Sequence, residues 1–148
     1  MRFAILTIAS FVVLIDGMLK WVALRFLEEG QVPVHALAFG VHKNFGAAFD
    51  LPLRLPIVIG ISLCIGILLI HVVKKYWKDD PAFSLAALVI LLGGAGNLYD
   101  RFAYGFTVDY LILFGRSAIN LSDLLILGGI AWMLLQKQSF HRVPVDKI

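Results

Sequence analysis

Asp100, Asp109 and Asp123 follow one another closely in the second half of the sequence. Two carboxylates are the least equipment with which a protein can hydrolyse a peptide bond. Brought together in a poorly hydrated site they cannot both ionise, so they share a proton. The ionised member draws a proton from water while the other donates to the carbonyl under attack. Such a pair titrates as a unit. The neighbours of the three aspartates sort them. Asp100 is followed directly by Arg101, the pattern of a charge-balanced, orienting carboxylate. Asp109 stands in Thr107-Val108-Asp109-Tyr110-Leu111, among apolar residues. Asp123, between Ser122 and Leu124, falls where a helix should start. There Asn120 and Asp123 suit an N-terminal cap as well as catalysis.

Other hydrolytic equipment is missing from the sequence. His35, His42, His71 and His141 are not spaced as a metal-binding set, and Cys64, the only cysteine, lies inside an apolar run. That excludes an internal disulfide and makes Cys64 a packing residue. No Gly-x-Ser-x-Gly elbow is present. Gly93-Gly94-Ala95-Gly96 lacks the Lys-Ser/Thr of a phosphate loop and is better read as letting helices approach closely. Neither a metal nor an organic cofactor is expected.

The elements that must position these aspartates belong in a membrane. Of 148 residues, 60% are hydrophobic and 16% charged, against about half and a quarter in an ordinary globular chain. The length suits one domain over residues 1–148. The net charge of +3 is modest and the basic residues are scattered between apolar runs, which argues against nucleic acid as a partner. Runs long enough to cross a bilayer cover about Phe3–Leu27, Leu55–Val73, Ala82–Leu98 and Asn120–Gln136, the last two slightly short of the ~20 residues a span needs. Each must be a helix. Arg2 before an apolar run resembles a secretory leader, but no small-residue cleavage pattern follows and apolar sequence resumes after Asp16.

The predicted architecture is therefore an all-α membrane protein of four transmembrane helices, with a short outer loop or helix and a small sheet outside the cytoplasm. Lys74, Lys75 and Lys78, with Arg2, Lys137, Arg142 and Lys147 at the ends, place the central loop and both termini in the cytoplasm. Arg25, Lys43, Arg54, Arg101 and Arg116 then fall in the outward connections. For the first of these, the alternation at Val32, Val34, Ala36 and Ala38 predicts a strand, His42–Gly46 a turn and Ala47–Phe49 a return strand; a plain apolar loop fits the pattern equally.

The few polar residues within the spans share one depth. At 1.5 Å per residue, Asp16 sits about 20 Å up a core about 30 Å thick, Asn97 about 22 Å and Asp123 about 18 Å. Lys20 lies one turn above Asp16, and the two, at i and i+4, read as a supporting ion pair. Asn97 can serve the site or simply bond between helices. Polar groups held at this cost usually face a bundle interior and act there.

At this point the sequence resembles the bacterial lipoprotein signal peptidases along nearly its whole length. Asp16-Gly17-Met18-Leu19-Lys20 resembles that family's Asp-x-x-x-Lys. Asn44-Phe45-Gly46-Ala47-Ala48-Phe49 is similar to its Asn-x-Gly-Ala-Ala-Phe. Gly96-Asn97-Leu98-Tyr99-Asp100-Arg101 resembles Gly-Asn-x-x-Asp-Arg, while Val108-Asp109-Tyr110 and Asn120-Leu121-Ser122-Asp123 resemble Val-Asp-Phe and Asn-x-Ala-Asp. The resemblance implies that Asp109 and Asp123 are a catalytic dyad. It implies that Asn44, Asn97, Arg101 and Asn120 line the site, with Asp16 and Lys20 supporting it. It also implies the reaction, removal of a prolipoprotein signal peptide before a cysteine carrying diacylglycerol, in the bacterial inner membrane, among phospholipid, near the outer face. Leu92, Gly94, Ile119, Ser122 and Asp50 depart from the usual pattern and bear on substrate preference. Two other classes compete: a non-catalytic membrane protein that binds lipoprotein precursors, and a proton-coupled carrier. A carrier is expected to show internal repeats or broken helices, which this sequence lacks.

Overall fold

The computed structural model describes residues 2–27, 37–46, 51–115 and 117–140, the last four of them as backbone. Seven elements follow one another: α1 (Arg2–Phe26), β1 (Leu37–Asn44), α2 (Leu55–Tyr76), α3 (Pro81–Tyr104), β2 (Thr107–Leu113), β3 (Ser117–Ile119) and α4 (Leu121–Phe140). Helices α1, α2 and α3 are long and apolar enough to cross a membrane; the apolar part of α4, Leu121–Gln136, is shorter. Their large apolar side chains point outward. Phe3, Leu14 and Met18 on α1, and Ile67 and Leu68 on α2, are exposed, whereas Asp16, Lys20, Asp109 and Asn120 are buried. An apolar exterior around a polar interior is what lipid, not water, stabilises. The chain is a multi-pass membrane protein.

Helix α3 is the hub, packing against α1, α2 and α4. It starts with Pro81 in the first turn, and the Asp80 side chain accepts a hydrogen bond from the Phe83 N–H at 3.0 Å. Proline tolerates that position because its missing N–H has no helical partner there. The helix runs six residues beyond the predicted end at Leu98, to Tyr104. It stops where Gly105 takes a left-handed conformation, φ 82°, and returns its N–H to the Arg101 carbonyl at 3.2 Å. The expected stop rested on the polar residues after Leu98, but the helix continues through them, with Asp100 paired to Lys20 and Arg101 bonded to backbone carbonyls. Arg25 and Arg101, expected in loops, lie in the last turns of α1 and α3, where a cation complements the helix dipole. Small residues bring α3 and α4 together. A methyl group on Gly93 would meet the Ser122 carbonyl, and one on Gly129 would meet Ile90, so neither glycine can be enlarged without separating the helices.

The sheet is three-stranded and antiparallel, in the order β1-β2-β3. It differs from the predicted local hairpin. His42–Asn44, read as a turn, belong to β1, and the partner of that strand is β2, with Asn44 opposite Thr107 and His42 opposite Asp109. Thr107, Val108, Tyr110 and Ile112 are residue types that suit a pleated surface, and their ladder extends β1 through residues whose local chemistry suggests a bend. Phe114 (φ 51°) and Gly115 (φ 62°) turn β2 into β3. The alternation at Val32, Val34 and Ala36, the return strand at 47–49, and Asp50, Arg116, His35, His141, Arg142 and Lys147 lie outside the described residues.

Candidate active site

Two buried polar clusters meet where β2 is clasped between the ends of α1, α3 and α4. The first is centred on Lys20. Its ammonium has three N–H donors and three acceptors around it: Asp16 Oδ2 at 2.7 Å, Asp100 Oδ2 at 2.8 Å and Asn97 Oδ1 at 3.0 Å. Asp16 is as fully used. Its Oδ1 accepts from the Tyr110 hydroxyl at 2.8 Å and the Leu121 N–H at 3.0 Å; its Oδ2 accepts from the Ser122 hydroxyl at 2.6 Å as well as from Lys20. One carboxylate on α1 thus ties down both β2 and the start of α4. Burial of Tyr110 and the neighbouring Asp16 charge hold its phenol proton firmly, pushing its pKa above the usual range.

The expected Asp16–Lys20 pair is therefore present, but the cation also holds Asp100, on another helix. Arg101 does not balance Asp100. Consecutive helical residues point about 100° apart, so Asp100 turns toward Lys20 and accepts from the Val108 N–H at 3.2 Å. Arg101 turns the other way, donating to the Asn97 carbonyl at 3.2 Å and the Gly46 carbonyl at 3.3 Å.

The second cluster contains Asp109 and Asp123, with Asn120 between them. Asn120 precedes α4 as its cap: its Oδ1 accepts from the Asp123 N–H at 2.9 Å, and Asp123 Oδ2 accepts from the Asn120 N–H at 3.1 Å. This is a reciprocal capping box. The Nδ2 of Asn120 then reaches Asp109 Oδ1 at 2.6 Å. Capping and site-building, alternatives in the sequence, are carried out by the same side chains. Asn44, the last residue of β1, donates to Asp109 Oδ2 at 3.2 Å, and Asn97 donates to Asp123 Oδ1 at 2.7 Å. The donors that Asn44, Asn97 and Asn120 offer to these two carboxyls are neutral. Burial, joined by the charge of Asp123 and opposed by the Asn44 and Asn120 amides, pushes Asp109 up to about 7.

A cleft of about 550 Å³ opens onto this second cluster. Its polar end is formed by Asn44, Asn97, Arg101, Thr107, Asp109 and Asp123, and its walls by apolar side chains of α2, α3 and α4. Asp16, Lys20, Asp100 and Asn120 stand behind it. Of the nine residues singled out in the sequence, five line the cleft and four brace them. Sequence reasoning missed Tyr110 and Ser122 as partners of Asp16. Tyr110 was visible as a polar aromatic beside Asp109, and Ser122 as a departure, but nothing local ties either to a residue roughly a hundred positions away.

A profile described as signal peptidase (SPase) II matches residues 8–138. A protein named lipoprotein signal peptidase from Moorella thermoacetica is 31% identical over 138 residues, covering 88% of this chain and 91% of its own length. One of the same name from Halalkalibacterium halodurans is 30% identical over 139 residues, covering 87% of this chain and 88% of its own. A solved structure described as a bacterial membrane enzyme, obtained by the in meso method, has a TM-score of 0.82, spanning 98% of this chain and 93% of that one at 22% identity. That likeness is one of fold.

Proposed function

This chain belongs to the signal peptidase II family, and on that footing we propose how it releases the signal peptide of a prolipoprotein: Asp109 and Asp123 are the carboxyl pair that cuts before a diacylglyceryl-modified cysteine. One observation carries the assignment. Asn120 bonds both aspartates at the polar end of an otherwise apolar cleft, where a hydrophobic signal peptide can lie beside them.

Below about pH 7 Asp109 holds the shared proton, because burial and the Asp123 charge oppose its ionisation. Asp123, fixed by Asn97 and its own cap, takes a proton from a water molecule. That water's oxygen bonds to the scissile carbonyl carbon as Asp109 gives its proton to the carbonyl oxygen. Collapse reverses the transfers. Asp123 protonates the departing amine, the C–N bond breaks, and Asp109 recovers a proton from the hydroxyl of the intermediate. No covalent enzyme intermediate is needed. Lys20, Asp16 and Asp100 hold the elements in register, and Asn44 and Arg101 shape the mouth.

The reading includes four spans, with α4 as the fourth, both termini in the cytoplasm and the sheet with the cleft's polar end toward the outer face of a bacterial inner membrane. The basic residues Lys74 and Lys75 in the last turn of α2 support that orientation. The test is direct. Detergent-solubilised protein incubated with a diacylglyceryl precursor releases its signal peptide, and Asp109→Asn or Asp123→Asn releases none. Full turnover by either variant rejects the dyad.

A further inference from the structure

Among the described residues, three buried side-chain polar atoms have no hydrogen-bond partner: Ser84 Oγ, Arg101 Nε and Thr107 Oγ1. Ser84 lies in the first turn of α3, at the far end of that helix from the aspartates. The other two belong to residues that line the cleft holding Asp109 and Asp123. A buried hydroxyl without a partner has lost its water and gained nothing in return, and native proteins seldom keep one. Where such an atom borders a binding cleft, its partner can arrive with the ligand.

The surroundings of Thr107 show why no protein group takes the hydroxyl. Thr107 is only 2% exposed and opens β2. Opposite it in the ladder stands Asn44, whose amide turns to other partners, donating to Asp109 and accepting from the Gly46 N–H at 3.0 Å. Arg101 uses each terminal nitrogen once, on the Asn97 and Gly46 carbonyls, while its Nε–H is without a partner among the described residues. Side chains alternate along a strand, so Thr107 and Asp109 face the same side of β2, about 7 Å apart along it. That is the separation of like-facing groups two residues apart in an extended peptide.

We propose that Thr107 is a substrate-binding residue: its hydroxyl, with the Nε–H of Arg101, another residue of the cleft, donates to a carbonyl oxygen of the bound precursor one strand repeat from the bond being cut. The inference rests on the dyad reading above. The precursor offers carbonyls of two kinds, in its peptide backbone and in the glyceryl esters of its lipid.

The experiment uses the purified full chain, its Thr107→Val and Thr107→Ser variants, and two precursors, one with ester-linked acyl chains and one with ether-linked alkyl chains. Valine keeps the shape and removes the hydroxyl. On the ester precursor Thr107→Val lowers kcat/KM about three- to tenfold, the worth of one hydrogen bond, and serine restores the rate. Thermal stability of the unliganded Thr107→Val protein is unchanged or higher, since the hydroxyl it loses had no partner. An equal loss on both precursors assigns the backbone carbonyl. A wild-type loss on the ether precursor, with no further loss from valine, assigns the ester. Wild-type kcat/KM in Thr107→Val on the ester precursor overturns the proposal, as does a fall in stability that accompanies the loss of rate, for then the hydroxyl serves the fold. Failure of the wild-type protein to cut the ester precursor overturns the dyad reading instead.

Discussion

Lys20 and Asn120 each stand between two aspartates, within the same few turns of the bundle, and they treat those aspartates in opposite ways. Lys20 ion-pairs with Asp16 and Asp100 at 2.7 and 2.8 Å. Asn120 bonds Asp109 and Asp123 through a neutral amide and a backbone N–H. A buried cation at contact distance favours the charged carboxylate; a neutral donor does so less, leaving desolvation and the second carboxylate to hold a proton in place. Four aspartates in one protein interior can therefore do two jobs. On the proposed reading, those beside the lysine fix the architecture and those beside the asparagine exchange protons.

Substitutions on the two sides of that division should fail differently. Asp109→Asn or Asp123→Asn should lower cleavage of a lipidated precursor at least about 1,000-fold. Stability should stay within about 1 kcal/mol, because amide replaces carboxyl with little change of shape; thermal unfolding in detergent beside the cleavage assay would show both. Lys20→Met should do the reverse in origin, stranding two carboxylates and costing about 3–5 kcal/mol of stability, with activity lost because the fold is lost. A stable, inactive Lys20→Met protein would move the lysine across the divide. Smaller effects come from the hydroxyls on Asp16. Tyr110→Phe and Ser122→Ala should each cost about 1–2 kcal/mol, and the double variant should differ from their sum, since both act on one carboxylate. Strict additivity in a double-mutant cycle would show that the Asp16 hub is not a unit.

How much of this was legible in the sequence depended on distance along the chain. The i, i+4 spacing of Asp16 and Lys20 and the Asn120–Asp123 cap are local patterns, and both pairs meet as such. The shared depth of Asp16, Asn97 and Asp123 followed from helix rise alone, and the resemblance in ordered blocks supplied Asp109. The contact of Lys20 with Asp100 was hidden, because Arg101 offered a nearer cation and only the course of α3 past Leu98 turns the two apart. The β1–β2 ladder was missed for a like reason: strand pairing over more than sixty residues leaves no periodic trace, while the bend-forming residues around Asn44 suggested a local hairpin. The Tyr110 and Ser122 hydroxyls show the same limit at the level of single bonds.

Asp109 and Asp123 are expected to share one proton below about pH 7, and the pH dependence of kcat/KM is the sharpest probe of that sharing, since this quantity reports the free enzyme's essential groups. With Asp109 raised from 3.8 to about 7, its proton is present below that value and lost above it. The stability that this proton contributes is fully present below 3.8, falls as the pH rises from there to about 7, and is constant above. The rate should fall about tenfold per pH unit above about 7. A flat rate from about pH 6 to about pH 9 would contradict it, because the carboxyl assigned as proton donor would then have no part in the rate.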